Sequence, residues 1–242
     1  MALDLDAPDL DILDKIYGIY DDYSKNLPVT CKLSCCLCCT QDVTITTLEG
    51  RRILKHPALS HDKNLLNLVL RCQDHPESQS PISTNAFARL CLQGQEFPQE
   101  NQDIGQKTCI FLSRRQCLIY DDRPFGCRSF FSTQPCQEGG SAVVDPFLIS
   151  INSIFLQFIE DIDEGGFFGP INNVLSFLAA QDPYRHGAHR GDPESCYHRQ
   201  HLTGNIAMPA IMIPPEHEER IEPILKQLKA IRHRHHALSA HG

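Results

Sequence analysis

The sequence has no tryptophan, three methionines and only 7% aromatic residues. A membrane-spanning helix needs roughly 18 or more apolar residues in succession, and no stretch of this chain reaches that. The first six residues, Met1 to Asp6, are acidic where a secretory leader opens basic, so a cytoplasmic protein with no membrane segment is expected. Positive charge is also scarce: 22 Lys and Arg stand against 30 Asp and Glu, a formal net charge of -8. Binding to a phosphate backbone draws on clustered cations, so nucleic acid is excluded as the principal partner. The glycine pairs Gly139-Gly140 and Gly165-Gly166 make neither a dinucleotide fingerprint nor a phosphate loop, and no G-x-S-x-G elbow occurs. His217-Glu218-Glu219-Arg220 lacks the second histidine of a zinc-protease helix. No internal repeat points to a solenoid.

What the chain does have is apolar residues enough for one main globular domain, 41% of 242, and twelve cysteines. Reducing conditions in the cytoplasm keep thiols free, which makes metal ligation the usual reason for such a number. Five of the twelve fall within nine residues (Cys31, Cys35, Cys36, Cys38, Cys39), and Cys109, Cys117, Cys127 and Cys136 form a second group. Cys72, Cys91 and Cys196 are scattered, and Cys72 and Cys91 sit in apolar helical patterns as small core residues.

Periodicity predicts a mainly α fold with a small β-hairpin around an irregular, cysteine-rich, metal-stabilised core. Leu10, Leu13, Ile16, Tyr17 and Tyr20 place an amphipathic helix over 8–23. Asp42 to Thr46 reads as extended, Thr46 or Thr47 caps a helix through Leu54, and another helix runs from Asp62 to Cys72. Stretches 74–82 and 93–106 are polar loops. Thr108 to Leu112 and Cys117 to Tyr120 form a hairpin across a four-residue connection. Asp145-Pro146 starts a buried helix through Ile159, and Pro170 to Ala180 adds another. Ile221, Ile224, Leu225, Leu228 and Ile231 stripe a last helix, 215–238, whose His233, His235 and His236 end it in solvent. The expected division is a helical, cysteine-cluster part, 1–140, with a helical C-terminal region, 141–242, packed on it.

The chemistry gathers in the two cysteine runs. Cys35 and Cys38 have the two-residue gap of a metal knuckle, where a tight turn brings two sulfurs to one ion. Adjacent Cys38 and Cys39 point in different directions in extended chain. In the second run the hairpin sets Cys109 beside Cys117, and Pro124 turns the chain so that Cys127 reaches the same centre. Arg123 and Arg128 then offset the negative charge of the thiolates. The segment Cys196 to His201, with His186 and His189 upstream, reads as a solvated loop in preference to a second Cys/His site.

The order of a cysteine run ending in Cys38-Cys39, then Cys109-Ile-Phe-Leu, Cys117-Leu-Ile-Tyr and Arg123-Pro-Phe-Gly-Cys127-Arg128 resembles the CxxCxxCC (YkgJ-type) cysteine-cluster family over about 31–136. That resemblance implies iron or zinc held by Cys35, Cys38, Cys39, Cys109, Cys117 and Cys127. Cys31, one residue away from the family's opening spacing, completes the candidate metal ligands, and Arg123 and Arg128 are the candidate cofactor-binding residues. An iron-sulfur cluster or iron is the expected cofactor, with zinc as the alternative. Three functions follow: redox or metal-dependent chemistry, a structural zinc module whose C-terminal part takes a protein partner or substrate, and an S-adenosylmethionine-dependent methyltransferase like the flagellin lysine methylases that the family includes.

Overall fold

The chain's structure is a computed structural model, which describes residues 7–32, 34–62, 65, 67, 69, 81–96, 107–136, 142–181 and 202–239. It is mainly helical. Helix α1 (Ala7–Ser24) forms from the apolar stripe and buries Ile12, Leu13, Ile16, Tyr17 and Tyr20. Strand β1 (Thr44–Thr46) leads directly into α2 (Thr47–Leu54) through a capping box, in which Thr46 Oγ1 accepts from Glu49 N and the Glu49 carboxylate accepts from Thr46 N. A short α3 (Pro57–His61), capped by His56, has no counterpart in the periodicity. Of the helix expected over 62–72, Leu65, Asn67 and Val69 are helical, and the remainder beyond Asp62 lies outside the described residues.

Helix α4 (Thr84–Gln93) starts at Ser83 and stops at Gly94, which takes the left-handed conformation that glycine tolerates best. Strands β2 (Leu112–Ser113) and β3 (Gln116–Cys117) make the expected hairpin, but the connection is two residues, not four. Arg114 and Arg115 both have positive φ, 48° and 64°, as a type I′ turn requires. After a 3-10 turn at Tyr120–Asp122 comes the one-turn helix α5 (Phe125–Arg128). Helix α6 (Pro146–Ile162) begins as expected, with Asp145 accepting from Phe147 N and Pro146 at the first position.

The larger sheet goes beyond the hairpin expected. Strand β4 (Phe167–Pro170) lies between β1 and β5 (Thr203–Gly204), antiparallel to both, with Ile45 opposite Gly169 and Phe168 opposite both Thr46 and Thr203. Helix α7 (Ile171–Gln181) therefore starts one residue after the Pro170 expected to open it, because that proline ends the strand. A 3-10 turn at Pro215–His217 precedes α8 (Glu218–Ser239). Ile221 and Leu228 are fully buried and Ile224, Leu225 and Ile231 pack beside them. The end of α8 is not all solvent-facing: His235 Nε2 meets Asp9 Oδ1 at 3.0 Å, returning α8 to the start of α1.

Two apolar clusters form the interior, and each draws on residues from both sides of position 140. The first joins α1, α6 and α8 around Tyr20, Phe125 and Phe155, with the Tyr20 ring edge-on to both phenylalanines at 4.8 and 5.0 Å. The second joins α2 and α7 to Phe111 and Ile119. Gly50 allows the close α2–α7 contact, since a Cβ there would stand 2.7 Å from Leu178 Cδ1. Helix α6 is more polar inside than its apolar pattern implies. Gln157 and Glu160 are completely buried, and Asp161 and, beyond the helix, Asp163 nearly so. The three helical ones are satisfied: Gln157 by Asn85, Ala210 and Met212, Glu160 by the N–H groups of Thr84 and Asn85, Asp161 by Met208 N and Arg232. Asp163 accepts from the Thr47 hydroxyl and from Asn205 Nδ2.

Candidate metal centre

The first cysteine run is two successive turns, with Cys35 N donating to Lys32 O and Cys39 N to Cys36 O. The turn therefore spans Cys36 to Cys39 and not the Cys35–Cys38 interval expected to make the knuckle. The chain then straightens and pairs with the start of the second run. Cys109 N donates to Cys39 O at 3.0 Å, Gln41 N to Lys107 O at 2.9 Å, and Thr40 and Thr108 face one another across an antiparallel bridge. At its other end the first run is held by residue 132: Thr30 N donates to Ser132 O, and Ser132 N donates to Cys31 Sγ at 3.4 Å.

Phe111 and Ile119, each 1% exposed, plug the hairpin into the second apolar cluster and leave Cys109 and Cys117 half-buried at its edge. Cys127 comes from α5, whose position is fixed from beneath. Glu49 Oε1 accepts from both Phe125 N and Tyr17 Oη at 2.7 Å, while Oε2 takes Thr46. One buried carboxylate thus ties α1, α2 and α5 together two residues before Cys127. Burial and that neighbouring charge push the Tyr17 hydroxyl well above its ordinary range, so it stays a proton donor to Glu49.

Five thiols from the two runs come within electrostatic reach of one another. Burial pushes Cys127 up to about 12, with Cys109, Cys117 and Cys38 adding to the rise and Arg123 opposing it. Burial likewise raises Cys109, which feels Cys117, and Cys117, which feels Arg123. The neighbouring Cys38 and Cys39 thiols act directly on one another. Sharing a proton between them lowers Cys38 and raises Cys39, and burial with the charges of Cys38, Cys109 and Cys127 adds to the rise of Cys39. Cys31 extends the group: burial raises it, and Cys35, Cys38 and Cys136 act on it. The sulfurs are gathered without being closed. Among the described residues no three Cys, His, Asp or Glu side chains stand in an arrangement that could hold an ion.

The two arginines part company. Arg123 acts on Cys38, Cys117 and Cys127 and lies over the Tyr120 ring, 3.6 Å from its centre. Arg128 is turned to α1, where Nη1 bonds both Asp21 oxygens at 3.0 and 2.9 Å and the guanidinium lies over Tyr17. Cys91 is exposed on α4, which corrects its reading as a core residue. Cys72, His186, His189, Cys196, His198 and His201 lie outside the described residues. Two members of the site stand outside the ligand set read from the sequence. Glu49 is signalled by its place three residues after Thr46, the capping-box spacing. Cys136 has no signal beyond its nearness in sequence to the second run. Comparison with family models, with curated proteins and with solved structures finds no match to this chain.

Proposed function

We propose that this chain is a cysteine-thiolate metal protein of the CxxCxxCC kind, binding an iron-sulfur cluster or iron in preference to zinc through Cys38, Cys39, Cys109, Cys117 and Cys127. The observation that supports this reading is the Cys39–Cys109 backbone pairing, which joins the two distant cysteine runs. The donor set fits in kind, because thiolate sulfur is the common ligand of iron-sulfur clusters and of structural zinc. More than four sulfurs in one patch favours a cluster over a single ion, and Arg123 supplies the cation that offsets its negative charge. When bound, such a group supplies electron transfer or Lewis acidity. The chain's own part is to position the thiols, keep them half-buried and set their charge balance.

Among the described residues the thiols do not form a closed set, so loading draws sulfurs together. The test is metal analysis and an absorption spectrum on protein purified without oxygen. A brown protein whose broad visible absorption bleaches on reduction supports the cluster. Stoichiometric zinc in a colourless protein would make the site a structural staple, a reading favoured by the packing of Cys109 and Cys117 against an apolar cluster. Protein that takes up neither metal would sink both.

A further inference from the structure

Between α1, α2 and the Tyr120–Arg128 segment lies a groove of about 350 Å³, within the size range of small-ligand sites. Its α1 wall contains Gly18, in mid-helix, where glycine weakens a helix relative to alanine. A Cβ at Gly18 would meet no atom within 4 Å, so no internal contact demands glycine there. What the missing side chain keeps open is the groove.

The charges around it are mostly matched. Arg52 is held by Asp14 and Asp122, each at 2.8 Å, and Arg128 by Asp21. Arg123 differs. Its Nε donates to Tyr120 O and its guanidinium is fixed over the Tyr120 ring, but among the described residues its terminal nitrogens have no partner. The same is true of the Asp121 carboxylate, although the Asp121 carbonyl accepts from Arg52 and Arg128. Arg123 and Asp121, two residues apart, therefore line the groove with a guanidinium and a carboxylate that are both unpaired among the described residues, beside the Tyr17 and Tyr120 rings. A phosphate dianion would meet the aspartates Asp14, Asp21 and Asp121, whereas a molecule carrying both a carboxylate and an ammonium matches both offers.

We propose that this groove binds a small zwitterion of the α-amino-acid class, its carboxylate on Arg123 and its ammonium on Asp121, with Gly18 providing the room. The site shares Arg123 with the proposed metal centre, but binding here uses no thiol and needs no metal. Its test is calorimetric titration of L-alanine and L-serine into the full chain, against acetate, ethylamine and inorganic phosphate. Expected is one-to-one binding of the amino acids, with each half-ligand and phosphate at least about tenfold weaker, as loss of one charge-assisted contact gives. Asp121→Asn should weaken binding about tenfold and Gly18→Leu should abolish it, neither lowering the melting temperature and neither touching a thiol. Amino acids that fail to bind, acetate or phosphate that binds as tightly, or full binding by either variant would overturn the proposal.

Discussion

Glu49 accepts a 2.7 Å hydrogen bond from the backbone N–H of Phe125, so a carboxylate on α2 sets the first residue of the turn that carries Cys127. Removing it strands four donor groups at once, the Tyr17 hydroxyl, the Thr46 N–H and hydroxyl, and the Phe125 N–H. Glu49→Ala is expected to cost about 2–4 kcal/mol of stability, since each unsatisfied buried group costs roughly 1–3 kcal/mol before relaxation. Urea denaturation checks the loss. A change within experimental error would mean that Glu49 does not hold α5.

The cysteines divide by environment. Cys127→Ala or Cys109→Ala should lower metal per chain sharply, because each removes a sulfur from the gathered set. Exposed Cys91→Ala should keep metal content unchanged and shift stability by no more than about 0.5 kcal/mol. Full metal retention by Cys127→Ala would contradict the two-run centre.

Arg114 and Arg115 hold left-handed backbone that L-residues with a Cβ resist. Asparagine followed by glycine is the pair a type I′ turn prefers, so the double substitution Arg114→Asn with Arg115→Gly should stabilise the hairpin by about 1 kcal/mol. Thermal melting of the double variant decides it, and a lower melting temperature would count against the turn type.

Asp163 supplies a pH dependence. Burial raises its carboxyl from 3.8 to about 6, against the lowering effect of the Thr47 hydroxyl, the Arg51 charge and Asn205. The folded chain thus keeps a proton that the unfolded chain releases between those values. Stability from this group is greatest at low pH, falls as pH climbs from about 4 to about 6, and levels off above, a total of about 3 kcal/mol. Denaturation across that range should show this slope reduced in Asp163→Asn, and an unchanged slope would assign it elsewhere.

Helix starts are legible where a local signal exists: Thr46, Asp145-Pro146 and the stripe on α1 each act within a turn or two of themselves. The three-stranded sheet is not, because β4 and β5 are short, glycine-bearing strands whose pairing is settled by partners distant in sequence. The buried polar face of α6 is hidden for a similar reason: Gln157 and Asp161 carry no local sign of burial, which comes from the 205–212 segment and Arg232 closing over them. At the candidate centre, the two runs announce themselves by composition. Their joining through Cys39 and Cys109 depends on a backbone pairing that no spacing reports, and Arg128's turn toward Asp21 depends on where α1 packs.

Because β4 lies between β1 and β5, the sheet has no central strand until residues 167–170 have been synthesised. Every cysteine of both runs precedes that point in the chain. During translation the thiols therefore emerge while β1 is still an unpaired edge and the first apolar cluster lacks α6 and α8. The nascent chain therefore carries the thiols of its first run before the second run and the central strand exist to cover them.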